Sequence, residues 1–459
     1  MNHRPATPRF QSIAVEATIA TVSARITDAK LRALFANCYP NTLDTTVFHR
    51  DDEQGRPDTF VITGDIHALW LRDSTAQVWP YLPLAADDAA LARMIAGLVR
   101  RQTHCILIDP YANAFNDGPG DSEWKTDHTE MKPELHERKW ELDSLCYAIR
   151  LAHGYWQATR DSDVFNAGVF DADVFDQDWL AAMELAVATM IAQQRKAGPG
   201  PYRFARTTHW QSDTLPCNGW GNPLKPVGLI ASMFRPSDDA CVFPFLVPSN
   251  HFAVVSLHQL ADLLDQHYPG HPLAARSRAL ADEVDAALHE HAIVIHPEYG
   301  RIWAYEVDGF GNALLMDDAN VPSLLSLPYL GACTEDDEVY ANTRRFALSG
   351  SNPWHFRSSD GRISGIGSPH TLVPRIWPMS IILRALTSRD AGEIRECLTM
   401  LVNSDGGSGL MHESFMPDDP SDFTRAWFAW ANTLFGELVL KVAQEQPALL
   451  SEHYAREGV

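Results

Sequence analysis

Three segments of this 459-residue chain combine acidic, basic and aromatic side chains closely enough to act on a polar substrate. Residues 63–74 contain Arg72 and Asp73, residues 234–240 contain adjacent Asp238 and Asp239, and residues 404–415 lead through a glycine-rich turn to Glu413. Carboxyl groups can donate or accept protons, and arginine forms charge-assisted hydrogen bonds with hydroxyl groups. The three segments are therefore the first candidates for a functional site.

Arg72 and Asp73 are suited to hold two neighbouring hydroxyl groups of a sugar. The alternative is structural: Asp73 or Ser74 caps the following helix, and Arg72 pairs with a nearby acid. Capping and ligand binding are compatible, so both interpretations stay open.

Asp238 and Asp239 follow Pro236 and Ser237, which is typical of a helix start, where caps and the helix dipole favour acids. Adjacent carboxylates can also raise one another's pKa, and a protonated aspartic acid is what a general acid requires. The sequence leaves both readings open.

The third segment is a glycine-rich turn followed by His412 and Glu413. Glycine allows the backbone to approach a ligand closely, so Glu413 beside His412 is a candidate general base, although a solvated surface glutamate is equally compatible. Glycosidases need two carboxyl groups, one to protonate the leaving oxygen and one to activate water or attack carbon. One of Asp238 and Asp239 together with Glu413 fits these roles, but spacing alone does not require that pairing.

The composition favours a carbohydrate ligand over charged polymers. Thirteen tryptophans accompany the polar segments, and aromatic rings stack on the C–H faces of sugars, although many tryptophans belong to the core. The net charge of −22 argues against nucleic acid and anionic membrane as partners, while an acidic surface also simply promotes solubility. Motifs for a nucleophile elbow, a P-loop, dinucleotide binding or a His-Glu-x-x-His zinc site are absent. We interpret His128, Glu130, His136 and Glu137 as surface residues or ligand contacts rather than zinc ligands, and no cofactor is expected.

The seven scattered cysteines contain no Cys-x-x-Cys pair, which is typical of a reducing compartment. The chain starts without the basic and apolar regions of a secretory signal, and no apolar run reaches membrane-spanning length. We therefore expect a cytoplasmic protein.

Helical periodicity dominates the elements that must position these segments. Apolar stripes at helical spacing include Val15, Ile19, Val22 and Ile26, and others recur at 180–190, 257–264 and 280–288. Further helices are predicted near 74–104, 141–160, 319–348, 374–404 and 421–443, with extended pieces near 59–63 and 300–307. Long loops are predicted near 105–139, 197–237, 350–373 and 403–420, and loops of such length are usually functional.

About a dozen helices without a composition break predict an all-α fold in a single domain over residues 1–459. Paired inner and outer helices that close into an (α/α)6 barrel would suit this pattern. Periodicity alone does not distinguish such a barrel from an α-solenoid or an irregular bundle.

At these segments the chain resembles glycoside hydrolase family 125, the exo-acting α-1,6-mannosidases. Eight stretches match in family order between about residues 60 and 440: 64–66 with 70–74, 141–147, 234–239, 317–325, 365–370, 376–379, 411–415 and 423–432. Two positions depart from the family pattern, His67 where proline is expected and Ala426, and neither touches the proposed acid or base.

The resemblance implies an (α/α)6 barrel, inversion of anomeric configuration, no required metal and a mannose-containing oligosaccharide as substrate. It implies Asp239 as general acid, with Asp238 as the alternative, and Glu413 as general base. An inverting pair leaves room for water, so the carboxyl groups are expected to lie roughly 6.5–9.5 Å apart. The residues that the resemblance implies as sugar contacts are Asp65, Trp70, Arg72, Asp73, Asp143, Asn320, His370, Trp377 and His412.

Two other function classes stay open at this point. One is another toroid enzyme, either a sugar epimerase, which would use paired histidines, or a glycan phosphorylase, which would need a basic phosphate pocket. The other is a catalytically silent mannose-binding protein, which would keep Arg72 and Asp73 but lack an acid/base pair.

Overall fold

The computed structural model describes residues 4–160, 174–371 and 373–455, and its regular structure is mainly helical. The described helices are α1 (Ile13–Ser23), α2 (Ala29–Cys38), α3 (Asn41–Thr45), α4 (Leu71–Val78), α5 (Ala89–Ile108), α6 (Leu142–Thr159), α7 (Gln177–Gln193), the single turn α8 (Pro216–Gly219), α9 (Val247–His267), α10 (Pro272–His291), α11 (Leu327–Leu330), α12 (Glu338–Ala347), α13 (Pro378–Leu386), α14 (Ala391–Val402) and α15 (Ala429–Glu445). Short 3-10 helices lie at Trp79–Leu84, Gln211–Asp213 and Pro447–Ser451.

Short strands lie between the helices and stiffen the connections. They are β1 (Val47–Asp51), β2 (Pro57–Val61), β3 (Leu69–Trp70), β4 (Ala114–Phe115), β5 (Leu135–Glu137), β6 (Phe245–Leu246), β7 (Ile293–His296), β8 (Gly300–Trp303), β9 (Glu306–Val307), β10 (Ala313–Leu314), β11 (His355–Arg357), β12 (Ser364–Ile366), β13 (Ser414–Met416) and β14 (Asp419–Thr424). All described pairs are antiparallel: β3-β4-β5 and β6-β9-β10 form three-stranded sheets, and the others form two-stranded ribbons.

Acidic N-caps define where several helices begin. The carboxylates of Asp28, Asp88, Asp176 and Asp390 accept hydrogen bonds from backbone amides in the first turns of α2, α5, α7 and α14. Each cap satisfies amides that have no partner within the helix. These caps fix the start of each helix relative to the loop before it.

The helices bury their apolar faces in one contiguous core that extends from Val15 to Tyr454. Helix α9 packs along α10 and also against α6, and α6 in turn packs against α4 and α5. Every residue of α4 is buried, including Arg72 and Asp73. Polar groups at the start of this central helix must therefore find partners inside the protein.

The predicted helical stripes at 180–190, 257–264 and 280–288 are confirmed as α7, α9 and α10, and the extended pieces near 59–63 and 300–307 are confirmed as β2, β8 and β9. The long helix predicted near 74–104 is wrong in its middle. Pro80 and Pro83 lie in a 3-10 helix there, and α5 begins anew after its cap Asp88.

Three other predicted helices are shorter than expected. The 319–348 stretch contains only α11 and α12, because prolines and Gly331 interrupt it, and 374–404 is divided into α13 and α14. The segment 419–424 is a strand paired with β13, so the helix predicted from 421 begins at Ala429. The described helices include none long and apolar enough to cross a membrane.

Candidate active site

Arg72 lies in the first turn of α4, where its side chain is 4% exposed. Its Nη1 donates a hydrogen bond to Glu141 at 2.6 Å and a longer one to Asp143 at 3.4 Å. Its Nη2 reaches Asp238 at 3.3 Å, and its Nε lies 3.4 Å from Asp73. The predicted pairing of Arg72 with an acid is confirmed, whereas the predicted cap is wrong because Trp70 occupies the N-cap of α4.

The carboxyl groups around Arg72 outnumber its single positive charge, so some of them hold protons. Burial raises the pKa of Glu141 well above its ordinary value and that of Asp143 to about 6. Burial acts the same way on Asp238, but Arg72, a hydrogen bond with Glu141 and Lys139 outweigh it and lower its pKa. A neutral Glu141 therefore donates to an ionised Asp238.

A tight turn carries Asp238 and Asp239. The amide of Arg235 donates to the carbonyl of Asp239 at 2.8 Å, and the amide of Asp238 donates to the carbonyl of Arg235 at 2.9 Å. Asp238 itself has a left-handed φ of 65°. No helix begins at this turn, so the helix-start interpretation of the two aspartates is wrong, and the two carboxylates contact different partners.

Asp239 is buried beside His370. Its Oδ2 accepts a hydrogen bond from the Ser237 hydroxyl at 2.9 Å and lies 3.6 Å from Nδ1 of His370. Burial lowers the pKa of His370, but the neighbouring Asp239 carboxylate, followed by the charges of Glu413 and Asp238, raises it to about 9. Burial would raise the pKa of Asp239, but the neighbouring His370 imidazolium, followed by the Ser237 hydroxyl, lowers it. The pair therefore holds a proton at neutral pH.

Glu413 lies directly before β13, and its side chain is 6% exposed. Nη1 of Arg425 donates to its Oε1 at 3.5 Å. The same guanidinium forms a two-pronged pair with Asp65, with Nε 3.0 Å from Oδ1. The solvated-glutamate interpretation is therefore wrong, because Glu413 is buried beside Arg425.

Gly64 explains why Asp65 can reach Arg425. Gly64 forms an isolated bridge with Phe428, and its φ of 132° suits glycine alone. A Cβ at this position would lie 2.6 Å from the carbonyl oxygen of Trp427. The close backbone contact joins the segment before α4 to the segment before α15.

His370 links the two halves of the site. The charges of Asp239 and Glu413 both raise the pKa of its imidazole. Burial raises the pKa of Asp73, the charge of Arg72 lowers it, and the charges of Asp238 and Arg425 have smaller effects on the same carboxyl. The structure thus gathers predicted residues from five separate segments around Arg72, His370 and Arg425. The elements that supply them are α4, α6, the 235–239 turn, the segment after β12 and the segment before β13.

Buried polar atoms without a hydrogen-bond partner mark one side of this cluster. They are Nε1 of Trp70, Nε of Arg72, Oδ2 of Asp73 and Nε2 of His136, whose ring lies 5.3 Å from the Trp70 ring. Buried polar atoms are rarely left unpaired unless a ligand or water satisfies them. His136 is partly buried and contacts Trp70, so its predicted role as a ligand contact stays a prediction.

The remaining predicted residues have mainly local contacts. Trp377 donates to Thr371 at 2.8 Å, and its ring lies 6.3 Å from the ring of His370. Asn320 bonds Asp318, whose other oxygen accepts from Ser368 at 2.9 Å. These contacts support the segment that carries His370.

His412 does not hold Glu413 as expected. Its ring stacks on Phe423 at 3.6 Å, and its Nε2 lies 2.8 Å from the Ser408 hydroxyl. His412 therefore has a different environment from Glu413, although the two residues are neighbours in sequence.

Sequence reasoning missed several residues of the cluster. Nδ2 of Asn113 donates to Glu137 at 2.9 Å and to Glu141 and Asp238, each at 3.3 Å. Lys139 donates to the backbone carbonyl of Asp238 at 2.8 Å. Glu141 and Arg425 stood inside matched stretches and could have been assigned, whereas nothing near Asn113 marked it.

Asp239 also lines a cavity of about 640 Å³. Arg235, Gln211, Trp354 and Pro369 contribute to the same cavity. Its mixture of polar groups and an aromatic ring suits a carbohydrate. Among the described residues no group of three or more His, Cys, Asp or Glu side chains is arranged to hold a metal ion.

Comparisons with known proteins agree with this arrangement. The family model of metal-independent α-mannosidases, glycoside hydrolase family 125, matches residues 28–440. The Meiotically up-regulated gene 157 protein of Schizosaccharomyces pombe is 42% identical over 471 residues, which cover 98% of this chain and 90% of the yeast protein.

Solved structures of other glycosidases are also similar to this chain. A metal-independent α-mannosidase of Streptococcus pneumoniae, in a non-productive substrate complex with α-1,6-mannobiose, is 42% identical with a TM-score of 0.87 and covers 94% of this chain and 99% of its own. A bacterial glucoamylase complexed with acarbose is 12% identical with a TM-score of 0.56, covering 91% of this chain and 57% of its own, which shows a shared fold alone. The chain therefore belongs to glycoside hydrolase family 125, the metal-independent α-mannosidases.

Proposed function

We propose that this glycoside hydrolase releases non-reducing terminal mannose from α-1,6-linked mannosides with inversion of configuration. The observation that carries the proposal is a pair of buried carboxylates, Asp239 and Glu413, whose charges both raise the pKa of one imidazole, His370. The linkage comes from the Streptococcus pneumoniae relative, which was solved with α-1,6-mannobiose. An epimerase with paired histidines as acid and base is not favoured, because the acidic groups here are carboxyls.

Nε1 of Trp70 and Nε2 of His136 have no hydrogen-bond partner, and Nε of Arg72 and Oδ2 of Asp73 have only a 3.4 Å ion pair with each other, which supports a sugar-binding role for this side of the cluster. A hexose offers hydroxyl groups that can donate to Asp73 and to Nε2 of His136, whose Nδ1 donates to Asn116, and that can accept from Trp70 and Arg72. Each such hydrogen bond should strengthen sugar binding, because a buried polar group without a partner costs about 1–3 kcal/mol. The terminal mannose would occupy this position.

Asp239 is the general acid in this proposal. The Asp239–His370 pair holds one proton between two coupled groups, so the proton can reside on Asp239 when the glycosidic oxygen lies next to it. Asp239 transfers this proton to the leaving oxygen as the C1–O bond breaks. Asp238 is the alternative acid, but Arg72, Asn113 and Glu141 hold it as an ionised acceptor.

Glu413 is the general base. It removes a proton from a water molecule as the water oxygen forms its bond to C1 on the face opposite the departing group. Arg425 lies at the long end of hydrogen-bond distance and has Asp65 as its main partner, so Glu413 keeps a free oxygen for the water.

We further propose that the helices form a single (α/α)6 barrel with these loops at one end. The similarity to the glucoamylase fold supports this arrangement, as does the fully buried α4 within a continuous core. In such a barrel, loops from successive helix pairs meet at one face, which accounts for a site drawn from five segments.

A proton NMR time course with α-1,6-mannobiose tests the reaction directly. We expect mannose to be released, with the β anomer appearing first. First appearance of the α anomer would contradict inversion, and binding without release would identify a mannose-binding protein instead.

The roles of the two carboxyls are tested with Glu413→Gln and Asp239→Asn, with Glu298→Gln as the control because Glu298 is exposed and lies in the turn between β7 and β8. Each site variant should lower kcat by a factor of about 100 or more, since acid–base catalysis contributes roughly 10²–10⁴-fold. Circular dichroism should be unchanged. Wild-type turnover in either variant would remove that residue from the mechanism.

A further inference from the structure

A second cavity, of about 320 Å³, lies behind the β11–β12 ribbon and contains none of the candidate site residues. Its lining is strongly basic, with the side chains of Arg344, Arg345, Arg357 and Arg384. A liquid water occupies about 30 Å³, so the cavity has room on the order of ten waters. This concentration of arginine is unusual in a chain of net charge −22.

Two of the four arginines are neutralised within the protein. Glu393 bridges Arg344 at 3.0 Å and Arg384 at 2.8 Å, and Arg384 also donates to Glu396 at 2.5 Å. The Nε of Arg344 is nevertheless buried and has no hydrogen-bond partner. The carboxylates thus fix the orientation of both guanidinium groups without satisfying all of their donors.

The other two arginines leave an excess of positive charge. In the described parts of the chain, neither Arg345 nor Arg357 has a carboxylate within ion-pairing distance. Arg345 donates only to the amide oxygen of Asn342, at 2.7 Å. The lining therefore carries four guanidinium groups against two carboxylates.

His355 also lines the cavity, and its pKa is lowered. Burial, followed by the charges of Arg357 and Arg384, lowers the pKa of His355 to about 4. The ring is neutral at pH 7, so it does not add to the excess; burial is the main cause of the lowered pKa, and the two arginine charges add to it.

We propose that this cavity is a binding site for a phosphate group, separate from the mannosidase site. A guanidinium offers a planar pair of donors that matches phosphate oxygens. The paired donors of one guanidinium occupy both oxygens of a carboxylate, whereas a phosphate has enough oxygens to accept hydrogen bonds from several arginines. The overall negative charge of the protein does not prevent this, because salt screens charges beyond about 8 Å at physiological ionic strength.

Isothermal titration calorimetry of the full chain with inorganic phosphate, at constant ionic strength, tests the proposal. Saturable binding at one site is expected. The variants Arg345→Gln and Arg357→Gln should each weaken it at least about tenfold, since each removes a charge-assisted contact. Both side chains are exposed, so the fold should be unaffected. Arg389→Gln is the control, because Arg389 is exposed and pairs with Glu335 outside the cavity.

A second titration with glycerol 2-phosphate identifies the source of the phosphate group. Binding of both compounds supports a site for phosphate esters, and binding of inorganic phosphate alone supports a site for the free ion. Absence of saturable binding, or equal binding by wild type and both cavity variants, would overturn the proposal. Mannoside hydrolysis should be unchanged in Arg345→Gln and Arg357→Gln, which separates this result from a failure of the mannosidase assignment.

Discussion

At the scale of single residues, the environment of Arg72 depends on where its protons are. One guanidinium faces Glu141, Asp143, Asp73 and Asp238, and four ionised acids around one buried cation would be strongly unfavourable. The raised pKa of Glu141 removes one of these charges and supplies a donor to Asp238. Glu141 therefore acts as a neutral hydrogen-bonding residue that orients Arg72 and Asp238.

This role predicts different results for two substitutions of Glu141. Glutamine has nearly the same shape and can donate to Asp238, so Glu141→Gln should keep kcat/KM within about tenfold of wild type. Glu141→Ala leaves buried charged partners unsatisfied and should lower kcat/KM by about 100-fold or more. Steady-state kinetics with a mannoside substrate measure both. Equal losses in the two variants would contradict a neutral Glu141.

His370 gives a second prediction at this scale. NMR titration of its imidazole should give a pKa of about 9, and Asp239→Asn should lower it, because Asp239 is the main group that raises it. Glu413→Gln is the comparison and should lower it less. A pKa that is the same in wild type and Asp239→Asn would show that the pair does not exist in solution.

The same pair links stability to pH. Because the folded pKa of His370 is raised from 6.5, its contribution to stability is complete below about pH 6.5 and is lost as the pH rises through about 9. The pKa of Asp239 is lowered, so its contribution is present above the ordinary value of 3.8 and is lost in acid. The pair should therefore stabilise the fold most above about pH 3.8, where Asp239 is ionised, and below about pH 6.5, where the contribution of His370 is complete.

At the scale of elements, the path from β12 to His370 depends on a close backbone contact at Gly367. The amide of Gly367 donates to the carbonyl of Trp354 at 2.8 Å, and its carbonyl accepts from Ala319 at 3.1 Å. A Cβ on Gly367 would lie 2.2 Å from the carbonyl oxygen of Arg375. The segment that carries His370 thus lies where it does because residue 367 has no side chain.

We predict that Gly367→Ala lowers the free energy of unfolding by about 1–3 kcal/mol, as overpacking does, and also lowers kcat/KM because His370 is displaced. Gly350→Ala is the matched control, since a Cβ there meets nothing within 4 Å and its φ is not positive. Urea unfolding and kinetics of both variants make the comparison. Wild-type behaviour of Gly367→Ala would show that the backbone can shift without consequence for His370.

Long helices were predictable from the chain because their apolar stripes repeat over many residues, as in α7, α9 and α10. Most of the short strands could not be predicted from the sequence. Strands of two residues, such as β3 and β4, have no periodic pattern of their own and exist through pairing with distant partners. The strand at 419–424 was mistaken for helix for the same reason, since only its pairing with β13 defines it.

At the scale of the whole molecule, the candidate site consists of contacts between segments far apart in sequence. Asp65 pairs with Arg425 and Arg72 with Asp238, and none of these pairs follows from local spacing. The carboxyls could be identified as candidates because the residue types are informative and the family resemblance ordered them. Their partners, such as Asn113 and Lys139, depend on the three-dimensional path of the chain.

The segment at residues 454–455 lies against the start of α2, and a single carboxylate joins them. Asp28 caps α2 through the amides of Lys30 and Leu31, and its other oxygen accepts from the amides of Tyr454 and Ala455 at 2.7 and 2.9 Å. Burial would raise the pKa of Asp28, but these four amides lower it. Asp28 is thus both a helix cap and the residue that holds the C-terminal segment against α2.

Asp28→Ala should therefore lower the free energy of unfolding by about 2–4 kcal/mol, roughly 1 for the cap and more for the amides left without partners. Asp390→Ala is the control, because Asp390 caps α14 through the amide of Glu393 alone and should cost only about 1 kcal/mol. Urea unfolding followed by both circular dichroism and tryptophan fluorescence gives the two values and tests whether the transition is cooperative. Equal losses in the two variants would mean that the contact with residues 454–455 does not stabilise the molecule, whereas the larger loss in Asp28→Ala follows if holding this segment against α2 stabilises the helical core.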